Sequence, residues 1–129
     1  MKLLIVDDDK TTRKLLGLYL KSKGYEVVPA ENGLDALEKI GTENINLVVT
    51  DMNMPYMDGI ELTKTLRSDI NFRNIPIIMV TTEADDDEKK KAFDAGVDDY
   101  LIKPTNADAI SESIKRIVKK IFLGGEGNV

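Results

Sequence analysis

The chain has 129 residues, 42% hydrophobic and 32% charged, which suits one soluble domain with one core and is too apolar for a disordered segment. It has no cysteine and no histidine, so disulfides, thiol catalysis, histidine bases and histidine metal sites are excluded; carboxylates, lysine, tyrosine and hydroxyls must carry any chemistry. A net charge of -5 argues against direct nucleic-acid binding, the apolar runs are too short to cross a membrane, and only Lys2 to Val6 precede a triple acid, unlike a signal peptide, so cytoplasmic residence is expected.

Leu3-Leu4-Ile5-Val6 is an unbroken apolar run ending in Asp7-Asp8-Asp9, which predicts a strand buried on both faces. A helix is expected from about Lys10 to Lys23, with Leu15, Leu16, Tyr19 and Leu20 on its apolar face, Asp9 as its N-cap and Gly24 ending it. Glu26 to Ala30 reads as a second strand, at an edge because Pro29 has no N–H for a ladder. Asn32 caps a second helix with Leu34, Leu37 and Ile40 on one side and Gly41 beyond it. Leu47 to Thr50 is the third strand and drives straight into Asp51 before the chain turns at Pro55. Asp58-Gly59 opens a third helix to about Ser68, carrying Ile60, Leu62 and Leu66, and Asp58 is its natural cap. Met52, Met54 and Met57 are read as packing residues.

Ile77 to Thr81 is the fourth strand. Residues 85–91 read Asp-Asp-Asp-Glu-Lys-Lys-Lys, a solvated helix face on which Asp85 with Lys89, Asp86 with Lys90 and Asp87 with Lys91 are i,i+4 pairs worth about 0.2–0.5 kcal/mol each. Gly96 ends that helix, and Asp99-Tyr100-Leu101-Ile102 makes a short fifth strand leading into Lys103-Pro104. Thr105 and Asp108 are spaced like a capping box before a last helix lined by Ile110, Ile114, Ile117, Val118 and Ile121. One domain over 1–123 is expected, with a loose tail over 124–129.

Strands alternating with helices imply right-handed crossovers, a parallel sheet and helices on both faces. The uninterrupted strands one, three and four belong inside, and the strand with Pro29 and the short fifth strand outside. This gives the order 2-1-3-4-5, the established order of the flavodoxin-like α/β fold. Ligands of such sheets sit beyond the carboxyl ends of the strands. Those ends carry Asp7, Asp8 and Asp9, then Asp51, Thr81 and Lys103. With strands about 4.8 Å apart, carboxylates so crowded call for a cation, and Mg²⁺ held by carboxylates, a carbonyl, waters and a phosphate oxygen is the natural solution.

Taken together, Asp7-Asp8, the Asp-x-x-Met-Pro-x-x-Asp-Gly run from Asp51 to Gly59, Val80-Thr81 and Lys103-Pro104 resemble the receiver domain of bacterial two-component response regulators, in the stand-alone, chemotaxis-type (CheY-like) form, over about Lys2 to Phe122. The resemblance implies that Asp51 accepts a phosphoryl group from a histidine kinase or a histidine phosphotransfer protein. It implies Mg²⁺ on Asp8, Asp51 and the Asn53 backbone carbonyl, with Asp7 helping through water, and Lys103 offsetting phosphoryl charge. Thr81 then moves to the phosphoryl group, Tyr100 turns inward, and a downstream protein docks on the face of the fourth helix, fifth strand and fifth helix. Asn53 and Glu83 flank the phosphoryl group and tune its hydrolysis, and the Lys103-Pro104 bond is expected to be cis. Such a protein catalyses only its own phosphoryl transfer and dephosphorylation. One departure is Thr105, where chemotaxis regulators usually carry Phe, so a flagellar-motor partner and another relay output both stay open.

The rival reading is a small haloacid-dehalogenase-like phosphohydrolase, since Asp7-Asp8-Asp9-Lys10-Thr11 fits the Asp-x-Asp-x-Thr start with Asp7 as nucleophile and Asp9 as acid/base. Its lysine would precede a later acid pair, whereas here Asp98-Asp99 precede Lys103, and little chain is left for a cap. A flavin module fares worse, because Asp7 to Asp9 would repel a phosphate.

Overall fold

The computed structural model describes the backbone of residues 1–127 and the side chains of residues 1–121. Five strands, β1 (Lys2–Val6), β2 (Glu26–Ala30), β3 (Leu47–Thr50), β4 (Ile77–Thr81) and β5 (Asp99–Ile102), alternate with helices α1 (Lys10–Ser22), α2 (Gly33–Ile40), α3 (Gly59–Ser68), α4 (Asp86–Ala95) and α5 (Ala107–Gly127). All strand pairs are parallel, in the order β2-β1-β3-β4-β5, as expected. Of the loose tail expected over 124–129, residues 124–127 instead continue the backbone of α5, and Asn128 and Val129 lie outside the described residues.

Strand side chains alternate between two cores. Leu4, Val6, Val48, Ile77 and Met79 face α2, α3 and α4, where Ala36, Ile40, Leu62, Leu66 and Ala92 close the layer. Leu3, Ile5, Leu47, Val49, Ile78 and Val80 face α1 and α5, closed by Leu16, Leu20, Ile110, Ile114 and Ile117. Two buried faces explain why β1, β3 and β4 carry no polar alternation. Met52 is buried, and Met54 and Met57 pack against the first core.

The caps fall largely where the side chains predict. Asp9, Asn32 and Asp58 each accept a backbone N–H three residues on, at 3.0, 2.8 and 2.8 Å. Asp58 and Glu61 complete a full capping box. Gly24 and Gly96 sit at φ +95° and +117°, the left-handed conformation that favours glycine.

Four local expectations are corrected. On α1 only Leu16, Gly17 and Leu20 are buried, while Leu15 and Tyr19 are 45% and 48% exposed. Leu34 of α2 and Ile121 of α5 also face solvent, because the buried stripe of α2 runs through Gly33, Ala36 and Ile40 and that of α5 through Ile110, Ile114 and Ile117. The Asp–Lys ladder on α4 is replaced by one pair, Lys91 with Glu88 at 3.0 Å, and Asp85 serves as the cap, accepting the Asp87 N–H at 2.7 Å. Finally, Asn106 rather than Thr105 starts α5, its Oδ1 accepting the Ala109 N–H at 2.8 Å, while Asp108 reaches across to pair with Lys23.

Candidate functional site

The register brings the carboxyl ends together. Val6 pairs with Thr50 and Thr50 with Met79, so Asp7 and Asp51 leave adjacent strands at the same level, and Asp51 N–H donates to Val6 O at 2.9 Å. Across the sheet, Thr81 pairs with Ile102, and Lys103 N–H donates to Thr81 O at 2.7 Å, which aims the lysine back over the edge. The Lys103-Pro104 bond is cis, as expected.

At this edge Lys103 Nζ lies 2.9 Å from Asp7 Oδ2 and 3.3 Å from Asp51 Oδ2. Asp51 Oδ1 accepts the Met52 N–H at 2.7 Å. Asp7 is only 2% exposed, and its Oδ1 accepts the Asp9 N–H at 2.9 Å, so both its carboxylate oxygens are committed within the protein. Burial alone would pull the Lys103 pKa down, but the hydrogen bond to Asp7 and the charges of Asp51 and Asp7 outweigh it and leave it raised. The lysine therefore stays cationic, as the counter-ion of the buried Asp7 and the half-buried Asp51.

Asp7, Asp8 and Asp51 each offer a carboxylate oxygen, all within 4.8 Å of one another. An all-oxygen, anionic donor set fits a hard divalent cation and not a thiophilic one. Of the three, Asp8 is exposed and makes the most open donor. Asn53 lies exposed in the β3–α3 loop, two residues past Asp51.

Thr81, Glu83 and Tyr100 form a second linked group. Thr81 is fully buried and its Oγ1 accepts the Glu83 N–H at 3.3 Å. The Tyr100 hydroxyl donates to Glu83 O at 2.6 Å, and its ring, 6% exposed, packs against Phe93 with centroids 6.4 Å apart. Tyr100 thus occupies the inward position. Burial, then the Glu83 charge, push its phenol pKa up.

Two contributors were missed in the sequence. Arg13, one turn into α1, donates from its guanidinium to Asp7 O at 2.6 Å and ties the helix to the acid loop. Its only signal was a cation six residues past Asp7. Gly59 is the other: a Cβ there would lie 2.2 Å from Asp51 O, so only glycine lets α3 start directly beneath the acid. The sequence shows Gly59 as the end of the Asp51-to-Gly59 motif and the start of a helix, but not this steric role.

Fold, paired acids, strand-end carboxylate, hydroxyl and lysine together define a receiver, and the chain belongs to the response regulator receiver domain family, whose model matches residues 3–115. Among known proteins it is similar to chemotaxis protein CheY1 of Helicobacter pylori, 42% identical over 120 residues that cover 92% of this chain and 97% of that one. Chemotaxis protein CheY of Pseudomonas aeruginosa is 38% identical over 122 residues, covering 94% and 98%. Of solved structures, the chemotaxis response regulator CheY4 of Vibrio cholerae superposes with a TM-score of 0.83 at 33% identity over 90% of this chain and 97% of that one. A two-component response regulator from Clostridium difficile gives 0.86 at 31% identity over 94% and 98%. Among the described residues no helix is long and apolar enough to cross a membrane.

Proposed function

We propose that this chain is a phosphorylation switch in which Asp51 takes a phosphoryl group from a histidine kinase or a histidine phosphotransfer protein and thereby changes its affinity for a downstream protein. The single observation that carries this is the Lys103 ammonium bridging Asp7 and Asp51 beside the exposed Asp8: a nucleophile, a fixed cation and a cation-binding acid pair share one strand edge. Asp51 would attack phosphorus through a carboxylate oxygen, and Lys103 would offset the charge of the phosphoryl oxygens during in-line transfer. Asp8, Asp51 and the Asn53 carbonyl would hold Mg²⁺, with Asp7, the most deeply buried of the three acids, acting through water. When bound, Mg²⁺ supplies further neutralisation of the transferring group. The chain would be no enzyme toward other substrates.

Thr81 would exchange its bond with the Glu83 N–H for one with the phosphoryl group. Because Glu83 O also holds Tyr100, that exchange would reach the face of α4, β5 and α5 where the partner docks. Asn53 and Glu83 would tune hydrolysis. The similarity to chemotaxis proteins supports a chemotaxis output in the cytoplasm, and Thr105, on the docking side, is where a different output would be encoded. The deeper burial of Asp7, 2% exposed against a half-buried Asp51, speaks against a phosphohydrolase with Asp7 as nucleophile.

The test is incubation with Mg²⁺ and acetyl phosphate followed by intact mass. Wild type should gain one phosphoryl group and Asp51→Asn none. Turnover of a phosphate ester that is lost in Asp7→Asn and kept in Asp51→Asn would overturn the reading. Asn53→Ala with Glu83→Ala should change the lifetime of the adduct, and an unchanged lifetime would remove both from the hydrolytic machinery.

A further inference from the structure

Helix α1 and its cap differ in charge from the rest of the chain. Lys10, Arg13, Lys14, Lys21 and Lys23 fall between Lys10 and Lys23 with no acid among them, in a protein of net charge -5. Lys23 pairs with Asp108 and Arg13 holds the Asp7 carbonyl, whereas Lys10, Lys14 and Lys21 make no ion pair among the described residues. The helix buries Leu16, Gly17 and Leu20. At 3.6 residues per turn Leu18 therefore points away from the sheet, and it is 63% exposed, with Leu15 and Tyr19 exposed beside it. Lys14 and Lys21, four residues before Leu18 and three after it, share its face.

Between α1 and β2 lies a groove of about 440 Å³, lined by Arg13, Lys14 and Lys21 together with Leu18, Val27 and Pro29. Cations and apolar surface in one groove suit an anionic headgroup with hydrocarbon attached to it. Protein interfaces are depleted of lysine, whereas lysines flanking exposed leucine are the pattern of helices that lie on membranes. The acids of the phosphoryl site do not cancel this charge. Lys14 to Lys21 stand roughly 8 to 18 Å along the helix from Asp9, at or beyond the roughly 8 Å over which salt screens exposed charges.

We propose that α1 lies on an anionic phospholipid surface, with Lys14 and Lys21 meeting headgroup phosphates at the groove and Leu18 entering the acyl boundary. The contact is peripheral and spans nothing. It uses neither Asp51 nor Lys103 and is independent of the phosphoryl chemistry.

The experiment floats the full chain with vesicles of phosphatidylcholine alone and of phosphatidylcholine mixed with phosphatidylglycerol. Wild type should rise with the mixed vesicles only, and added salt should release it. Replacing Lys14 and Lys21 together by Gln should lower partitioning about thirtyfold, from about fivefold per lysine charge near an anionic surface. Lys14, Leu18 and Lys21 are all exposed, so these substitutions leave the core untouched and Tm should not move. The chain has no tryptophan, so Leu18→Trp places a single indole at the contact, and its emission should shift to shorter wavelength with the mixed vesicles alone. No flotation of wild type with the mixed vesicles, or equal flotation of wild type and the double variant, would overturn the proposal. Binding of polyglutamate through the same two lysines without binding of the mixed vesicles would also overturn it and assign the face to an acidic protein.

Discussion

Asp7 is the most constrained residue of the site. Its carbonyl is held by Arg13, one carboxylate oxygen by the Asp9 N–H and the other by Lys103, so α1, the acid loop and β5 all meet on it. Removing the lysine would leave a buried carboxylate without its counter-ion. Lys103→Met should therefore cost about 3 kcal/mol in urea unfolding without metal. Mg²⁺ should restore part of that, because it replaces the missing charge. The pH dependence has a definite sign. The Lys103 pKa is raised in the fold, so its contribution is complete below the ordinary lysine value of 10.5 and is lost as pH rises through the higher folded value. Alkaline unfolding of wild type should begin there, and Lys103→Met should lack that component. Gly59→Ala offers a second check at this scale: its Cβ would meet Asp51 O, and about 3 kcal/mol of destabilisation is expected from displacing α3 or the acid.

At the scale of elements, α5 is fastened to β5 by a polar cluster that periodicity could not reveal. Asp99 Oδ2 accepts from the Ser113 hydroxyl and from Arg116 at 2.8 Å, and Asp99 Oδ1 accepts the Tyr100 N–H at 2.8 Å. Burial would raise the Asp99 pKa, but these donors, Ser113 foremost, bring it below the usual 3.8. A lowered carboxylate pKa stabilises above the unfolded value and stops doing so as pH falls through the folded one. Ser113→Ala should cost about 1 kcal/mol at neutral pH, with the difference from wild type shrinking below pH 3.8. Denaturant titrations at the two pH values would read this directly, and a pH-independent difference would contradict it. Because Tyr100 neighbours Asp99, the same cluster sets the backbone from which the aromatic ring turns inward. The α3 end shows similar fastening: the Arg67 guanidinium donates to Gly96 O, Arg73 O and Ile75 O and pairs with Asp98. Its four acceptors lie 6 to 31 residues away, and no local pattern announces them.

For the molecule as a whole, the sheet divides two cores and delivers the acids to one edge. Crowding Asp7, Asp8 and Asp51 within 4.8 Å of one another should make the fold itself sensitive to cations. Mg²⁺ at ten times its Kd should stabilise wild type by about 1.4 kcal/mol, visible as a higher Tm, and Asp8→Asn should lose most of that gain. Equal melting with Mg²⁺ and with a chelator would count against a metal site at these acids.

Strand positions, strand order and three of the five helix starts were legible in the sequence, because doubly buried strands read as unbroken apolar runs and Asp9, Asn32 and Asp58 announce their own caps. The acids, Thr81 and Lys103 were legible as well, each closing its strand. Leu15, Tyr19, Leu34 and Ile121 were misplaced because a helix with apolar residues around much of its circumference does not say which stripe meets the sheet; the angle at which it lies on the strands does. Likewise the Asp–Lys ladder of α4 was displaced by capping, since Asp85 gains more from the unpaired N–H of Asp87 than from a solvated ion pair. The sequence by itself thus determined the elements, their order and the chemistry available at the strand ends, all of which follow from local pattern and connectivity. Only the tertiary structure decided that Lys103 bridges Asp7 and Asp51, that Arg13 holds the acid loop, that Gly59 must lack a Cβ, and that a groove opens between α1 and β2. Those depend on distances between groups far apart in the chain, which register and packing set and no local pattern encodes.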